Sequence, residues 1–274
     1  MTVSLAVIRE RAGGLAPRVA ITLGSGLGPL ADHVAGPLEI PYSDLPDFPQ
    51  TTVSGHSGAL ILGELGGVPV ALLRGRAHYY ETGNPRAMAG AIGTIAALGV
   101  ETMVMTNAAG SLQMETGPGS PMLITDHINF SGLNPLIGVE GDARFVGMTD
   151  AYDPALAATM RETAAERGID LAEGTYMWFS GPSFETPAEI RMAATMGASA
   201  VGMSTVPEVI LARYHGLRVA AVSLITNFGA GLSGEALSHE HTKEMAATGT
   251  ETMERLITGF LEHYGADVPR LQEA

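Results

Sequence analysis

Ala172-Glu-Gly-Thr-Tyr-Met-Trp-Phe179 leads through Gly181-Pro-Ser-Phe-Glu-Thr186 into Pro187-Ala-Glu189, and this stretch decides the fold class. Its first run is rich in aromatic and β-prone residues and reads as a strand. Thr186 is a good N-cap, Pro187 suits the first helical position and Glu189 completes a capping box, so a helix starts there. Phe184 and Glu185 therefore sit on the turn between a strand's carboxyl end and a helix, where ligands bind in open α/β sheets. An aromatic ring beside a carboxylate suits a flat heterocycle carrying N–H groups: the ring stacks and the carboxylate accepts. Taken alone, such a pair has a plainer reading, a core phenylalanine and a solvated glutamate.

The same strand–helix alternation extends outward in both directions. Residues 1–18 read as a short amphipathic helix, and Val19–Leu23 as a buried strand ending in Gly24-Ser-Gly-Leu-Gly28. Residues 29–58, with Pro37, Pro41, Pro46 and Pro49, read as loop-rich. Ala59–Leu62 and Val68–Leu73 pair as strands joined at Gly66-Gly67. Asn84-Pro85 opens a helix to about Leu98, and Glu101–Thr106 is a strand ending in Asn107-Ala-Ala-Gly110. Met122–Asn129 is a further strand, and Asp153-Pro154 starts a helix to about Arg167. Pro187–Met196 is helical. Ala200–Met203 is a short strand running into Ser204-Thr-Val-Pro-Glu208, where Thr205 and Glu208 match a second capping box. Arg218–Thr226 is a central strand, and the glycine-rich Asn227–Ser238 reads as a mobile loop. In the last helix Met253, Leu256, Ile257, Phe260 and Leu261 form one apolar stripe. No Pro- or Ser-rich linker divides the chain, so a single α/β domain over residues 1–274 is expected.

Composition narrows the function classes. The chain has 274 residues, 46% hydrophobic and 16% charged, enough to bury a sizeable core. A net charge of −14 argues against nucleic-acid binding, which needs a basic face. No apolar run reaches membrane-spanning length, and the first ten residues lack the features of a signal peptide. With zero cysteines, disulfides, thiolate chemistry and Cys-based zinc sites are excluded, and a cytoplasmic protein is expected. An anionic substrate would meet an unfavourable global field and would need a local cluster of donors. Arginine, the better fork for phosphate, supplies fourteen of the fifteen basic residues.

Several strands end in a small or polar cluster: Gly24-Ser-Gly, Asn107-Ala-Ala-Gly, Gly181-Pro-Ser-Phe-Glu, Gly202-Met-Ser-Thr and Thr226-Asn. If the strand directions mostly agree, these clusters converge on one rim of the sheet. Gly24–Gly28 is spaced G-x-G-x-G rather than G-x-G-x-x-G, which disfavours a dinucleotide fingerprint and leaves an anion loop or an ordinary tight turn. Arg76, His78 and Tyr80 share one face of an extended segment, so Arg76 and His78 make a donor pair or a surface Arg beside a structural His. His239 and His241 stand two apart, not four, and diverge around a helix, so no metal site is expected there.

Together these clusters resemble the trimeric purine nucleoside phosphorylases. The matching stretches are Gly24-Ser-Gly-Leu-Gly, Gly55-His-Ser-Gly, Gly75-Arg-Ala-His-Tyr-Tyr-Glu, Thr106-Asn-Ala-Ala-Gly, Asp150-Ala-Tyr-Asp, Gly181-Pro-Ser-Phe-Glu-Thr, Val201-Gly-Met-Ser-Thr-Val-Pro-Glu and Leu224-Ile-Thr-Asn, in the family's order. The resemblance implies a three-layer α/β phosphorylase fold, a twisted mixed sheet flanked by helices, assembled as a homotrimer. It implies reversible phosphorolysis of purine nucleosides in purine salvage, with inorganic phosphate as co-substrate and neither organic cofactor nor metal. The phosphate site so implied is Ser25, His56, Arg76, His78, the backbone of Ala108, and Ser204. Tyr80, Met203 and His239 match the ribose site, His239 at the 5′-hydroxyl. Phe184, Glu185, Val201, Met203 and Asn227 match the purine site, with His78, Glu185 and Asn227 in the catalytic set. Phe145 matches an aromatic residue that reaches into the neighbouring subunit's site, and the loop 229–234 matches a closing lid.

Asn227 bears on specificity, because an amide both donates and accepts and so fits a 6-oxopurine. The related methylthioadenosine phosphorylases carry Asp there, which favours a 6-aminopurine. Inosine and guanosine, with their deoxy forms, are therefore the expected substrates, and xanthosine stays open. The rival classes are a purine sensor that binds without turnover, and a nucleoside hydrolase, which would usually recruit an aspartate-bound calcium.

Overall fold

The structure, a computed structural model, describes residues 2–50, 58–233 and 238–267, less the side chains of His239, His241, Lys243 and Asp267. In chain order the strands are β1 (Val19–Thr22), β2 (Ala35–Pro41), β3 (Ala59–Leu65), β4 (Val68–Arg74), β5 (Thr102–Ser111), β6 (Pro121–Ile128), β7 (Ala172–Trp178), β8 (Ala200–Gly202) and β9 (Arg218–Phe228). The helices are α1 (Val3–Ala12), α2 (Tyr79–Thr82), α3 (Ala89–Ala97), α4 (Pro154–Glu166), α5 (Pro187–Thr195), α6 (Val206–Tyr214) and α7 (His239–Asp267).

These strands form one mixed sheet in the order β2-β3-β4-β1-β5-β8-β7-β6-β9, and β9 also pairs with β5. Strands β5, β8, β7, β6 and β9 thus close a ring, from which β1, β4, β3 and β2 extend as a wing. Consecutive strand residues feed opposite faces, as the pleat requires. Ala20, Ala71, Leu73, Met103 and Met105 join one apolar cluster. Val19, Ile21, Val70, Leu72 and Val104 join the other. Helices α1, α3 and α6 cover the first face, and α4 and α7 the second, which gives the three expected layers. The α7 stripe of Met253, Leu256, Ile257, Phe260 and Leu261 is fully buried.

Local chemistry explains most element ends. Thr186 Oγ1 accepts from Glu189 N–H at 3.2 Å and Glu189 Oε2 accepts from Thr186 N–H at 2.7 Å, the capping box expected at α5. Asp153 caps α4 by accepting from Ala155 and Leu156 N–H. Gly66 and Gly67, at φ 57° and 75°, turn the β3–β4 hairpin.

Three local expectations change. The stretch read as loop-rich contains β2, an exposed edge strand antiparallel to β3; its prolines are tolerated because an edge leaves one side unpaired. The helix expected from Asn84-Pro85 begins only at Ala89, because Asn84 Oδ1 accepts from Arg86 N–H at 2.9 Å and holds a turn there. Strand directions also do not all agree: β8 is antiparallel to β5, and β7 runs with β8.

The strand clusters still meet, but along the middle of β5 rather than at a common rim. Strand β1 stops at Thr22 opposite Met105, and β8 enters opposite Gly110 and Ser111. The whole other side of β5 belongs to β9. Among the described residues, residues 106–109 of β5 therefore have no strand neighbour on one side, and the loops after β1, β4 and β8 gather at that opening. No described helix is long and apolar enough to cross a membrane.

Candidate active site

The β4 end enters the opening through Gly75, whose φ of 124° suits only glycine, and the Tyr42 hydroxyl holds the turn by donating to Gly75 O at 3.0 Å. The turn aims Arg76 inward, where its side chain is 4% exposed. Arg76 NH1 donates to Ser204 Oγ at 3.2 Å. Its Nε lies 3.3 Å from Glu208 Oε2, an ion pair that falls short of hydrogen-bond geometry. NH2 is buried with no hydrogen-bond partner among the described residues. A guanidinium held at two corners with a third corner unpaired is a ready fork for an anion.

His78 and Tyr80 do not continue an extended segment with Arg76. Glu81 accepts from His78 N–H at 2.8 Å and lies 3.0 Å from its Nδ1, which starts α2 at once. The His78 and Tyr80 rings then stack with centroids 4.7 Å apart. His78, Met203, Ser204 and Glu208 line one small cavity of about 20 Å³ beside Arg76.

The approach to α6 departs from the sequence reading. Thr205 makes no cap bond and has φ 71°, ψ −54°, the one positive φ of a non-glycine residue among those described. Val206 N–H bonds to Ser204 O at 2.8 Å, so Thr205 is the centre of a three-residue γ-turn. Such backbone costs on the order of 1–3 kcal/mol and clusters at functional sites. Glu208 does take the Thr205 backbone N–H, the carboxylate half of the expected capping box, but it is buried against Arg76 as well. The missed signal was a carboxylate among the apolar Val206, Val209, Ile210 and Leu211, a face that buries an acid only with a partner.

Across the opening stand the groups matched to a base. On β5, Gly110 is paired with Val201 on one side and Asn227 on the other. A Cβ on Gly110 would lie 2.8 Å from Asn227 Nδ2, so only glycine leaves this amide its place. Asn227 Oδ1 accepts from Thr226 Oγ1 at 3.0 Å, and its Nδ2 donates to Phe228 O at 2.9 Å. Gly181 packs against Met203 and Tyr80, since its added Cβ would lie 2.5 Å from Met203 Sδ and 3.2 Å from Tyr80 Cδ1. Phe184 is exposed on the turn beyond, beside the buried Glu185.

Glu185 Oε1 is buried without a hydrogen-bond partner among the described residues, and burial raises the carboxyl above its ordinary pKa, with Glu189 adding to the rise. A raised folded pKa means the group's stabilising contribution is complete below the ordinary carboxyl range and is lost as pH rises through the folded value. Glu185→Gln should therefore melt higher than the parent chain near neutral pH, with the gap shrinking as pH falls toward about 4. Thermal melts across that range check this; a constant gap would remove the charge as its cause.

The remaining expected residues are more scattered. Ser25 is exposed on the loop after β1, next to Gly24, whose N–H donates to Thr106 Oγ1 at 2.8 Å. Ala108 is half-buried in the open stretch of β5. Phe145 is 75% exposed, with the Arg144 guanidinium 5.0 Å from its ring centroid. His56, the His239 side chain and residues 234–237 of the glycine-rich stretch lie outside the described residues. Gly229 and Gly231, earlier in that stretch, pack against Ile190 and Pro187 of α5.

The opening thus joins a buried cationic edge (Arg76 and Ser204) to an amide (Asn227), with the buried Glu185 carboxylate on the turn after β7, a set of groups that can hold an anion beside a hydrogen-bonding heterocycle. The model of the phosphorylase superfamily matches residues 18–262. Purine nucleoside phosphorylase 1 of Bacillus subtilis is 45% identical over 90% of this chain and 89% of its own. The crystal structure of Schistosoma mansoni purine nucleoside phosphorylase with inosine superposes with a TM-score of 0.89 at 37% identity, covering 94% of both chains. The same organism's enzyme with adenosine gives 0.86 at 35% identity, covering 99% of this chain and 100% of that one. The chain belongs to the phosphorylase superfamily and, within it, to the purine nucleoside phosphorylases.

Proposed function

We propose that the chain phosphorolyses 6-oxopurine nucleosides, inosine and guanosine with their deoxy forms, and so serves purine salvage. The observation that carries this reading is the Arg76–Ser204 edge on one side of the open stretch of β5 and Asn227, beside Gly110, on the other. Asn107 on the first side and Gly110 on the second are three residues apart, about 10 Å along a strand. That is the reach of a base joined to its sugar.

In this mechanism phosphate lies on Arg76, Ser204, Ser25, His78 and the Ala108 backbone, with His56 nearby. One phosphate oxygen forms a bond to C1′ as the bond from C1′ to the purine nitrogen breaks. The bonding pair leaves with the base, and the sugar passes through a species of cationic character that the phosphate dianion stabilises. Asn227 faces the purine's N7 and O6 edge, where that negative charge develops, and Glu185 accepts from N1–H. Placing donors where charge appears is among the largest catalytic effects. Phe184, Val201 and Met203 flank the base, while Tyr80, Met203 and His239 hold the ribose. No organic cofactor or metal enters the scheme.

We also propose a homotrimer in which Phe145 of each chain reaches toward a neighbour's site. Supporting this, Phe130, Ile137 and Phe145 are 42%, 71% and 75% exposed within one stretch of chain. Light scattering on the purified protein tests it, and a monomer would remove the role given to Phe145.

The deciding assay is purine release from inosine with and without phosphate, run beside adenosine. Release only with phosphate, and little from adenosine, is expected; phosphate-independent release would make the chain a hydrolase. The schistosomal complexes with inosine and adenosine make rates, rather than binding, the useful comparison. Asn227→Asp should raise the adenosine-to-inosine rate ratio, and an unchanged ratio would take specificity away from Asn227.

A further inference from the structure

Behind Ser204 lies a chain of polar side chains that the mechanism above leaves without a role. Asn107 Nδ2 donates to Thr205 Oγ1 at 2.9 Å, and Thr205 Oγ1 lies 3.1 Å from Ser204 Oγ. Arg76 NH1 donates to the same Ser204 oxygen at 3.2 Å. Asn107 and Thr205 are buried, while Ser204 is half-buried on the wall of the opening.

Ser204 Oγ is thus held from two sides, by the Arg76 guanidinium and by the Thr205 hydroxyl, and the buried Asn107 amide holds Thr205 in turn. The buried Tyr176 hydroxyl lies beside them and accepts from Ser204 N–H at 3.3 Å. Four elements of the fold therefore fix where the Ser204 hydroxyl stands in the wall of the opening.

We propose that Asn107 and Thr205 are positioning residues that hold the Ser204 hydroxyl against Arg76, where it meets the phosphate. The inference rests on the phosphate site proposed above. It also gives the γ-turn a purpose: the turn carries Thr205 Oγ1 to where it reaches Asn107 and Ser204 together.

The test is steady-state cleavage of inosine with phosphate varied, in the parent chain and in Thr205→Ser, Thr205→Val, Ser204→Ala and the Ser204→Ala/Thr205→Val double variant. Valine keeps the shape and the strained backbone but has no hydroxyl. Thr205→Val and Ser204→Ala should each raise the phosphate KM about tenfold or more, the scale of a hydrogen bond to a charged group. The inosine KM should change little, and Thr205→Ser should restore the phosphate KM. The double variant should be no worse than Ser204→Ala alone, because Thr205 acts through Ser204. An unchanged phosphate KM in Thr205→Val, or effects that add in full, would overturn the inference. Should Thr205→Val not fold, Asn107→Ala serves instead, with a raised phosphate KM expected and an unchanged one decisive against the idea. A parent chain that cleaves inosine without phosphate would instead defeat the underlying reading.

Discussion

Replacing Asn227 with alanine is expected to lower kcat for inosine on the order of 100- to 1,000-fold, the usual loss for one donor placed where charge develops. The thermal midpoint should move little, because the side chain's bonds run to its immediate neighbours, Thr226 and Phe228. Those bonds hold the amide in place before substrate arrives. Gly110→Ala supplies a second route to the same loss. Its Cβ would lie 2.8 Å from Asn227 Nδ2, and the amide must turn to make room. The Gly110→Ala loss should vanish when Asn227 is already alanine, since residues in direct contact do not act additively. Turnover at saturating phosphate, with melting curves to confirm folding, checks both. A kcat within about tenfold of the parent for Asn227→Ala would remove the leaving-group role.

Glu208→Ala is expected to destabilise the fold by about 3–5 kcal/mol, because it leaves the Arg76 charge buried and unpaired. For a chain of this size that amounts to a fall in Tm of roughly 10 °C. Glu208→Gln separates charge from shape. With a neutral partner, Arg76 depends more on an external anion, so added phosphate should raise the Tm of Glu208→Gln more than that of the parent chain. Calorimetry with and without phosphate measures this. Equal shifts would mean that Glu208 does not balance the Arg76 charge.

Glu208 also marks where the sequence was hard to read. Its spacing from Thr205 fits a capping box, and only the apolar Val206, Val209, Ile210 and Leu211 around it point to a buried counter-ion. The same spacing at Thr186 and Glu189 does read as a cap, because there both side chains bond to their own helix end. Arg76 and His78 show the other limit. The i, i+2 rule put them on one face, but Glu81 starts a helix at His78, and the Arg76 side chain turns to Ser204, 128 residues away in sequence.

What the sequence determined by itself was the alternation of strands and helices, the apolar stripe of α7, the cap at α5 and the motifs whose order marks the family. All of these depend on contacts within a few residues, through dihedral preference, hydrogen-bond capping and hydrophobic period. What only the tertiary structure decided was the opening along β5, the burial of Glu208 against Arg76, and the hydrogen-bonded chain of Asn107, Thr205 and Ser204. Each of these depends on register and long-range packing: β1 ends after four residues while β5 and β9 run on for ten and eleven. Strand length relative to a distant neighbour is set by what the whole core can bury, and no local window of sequence contains it.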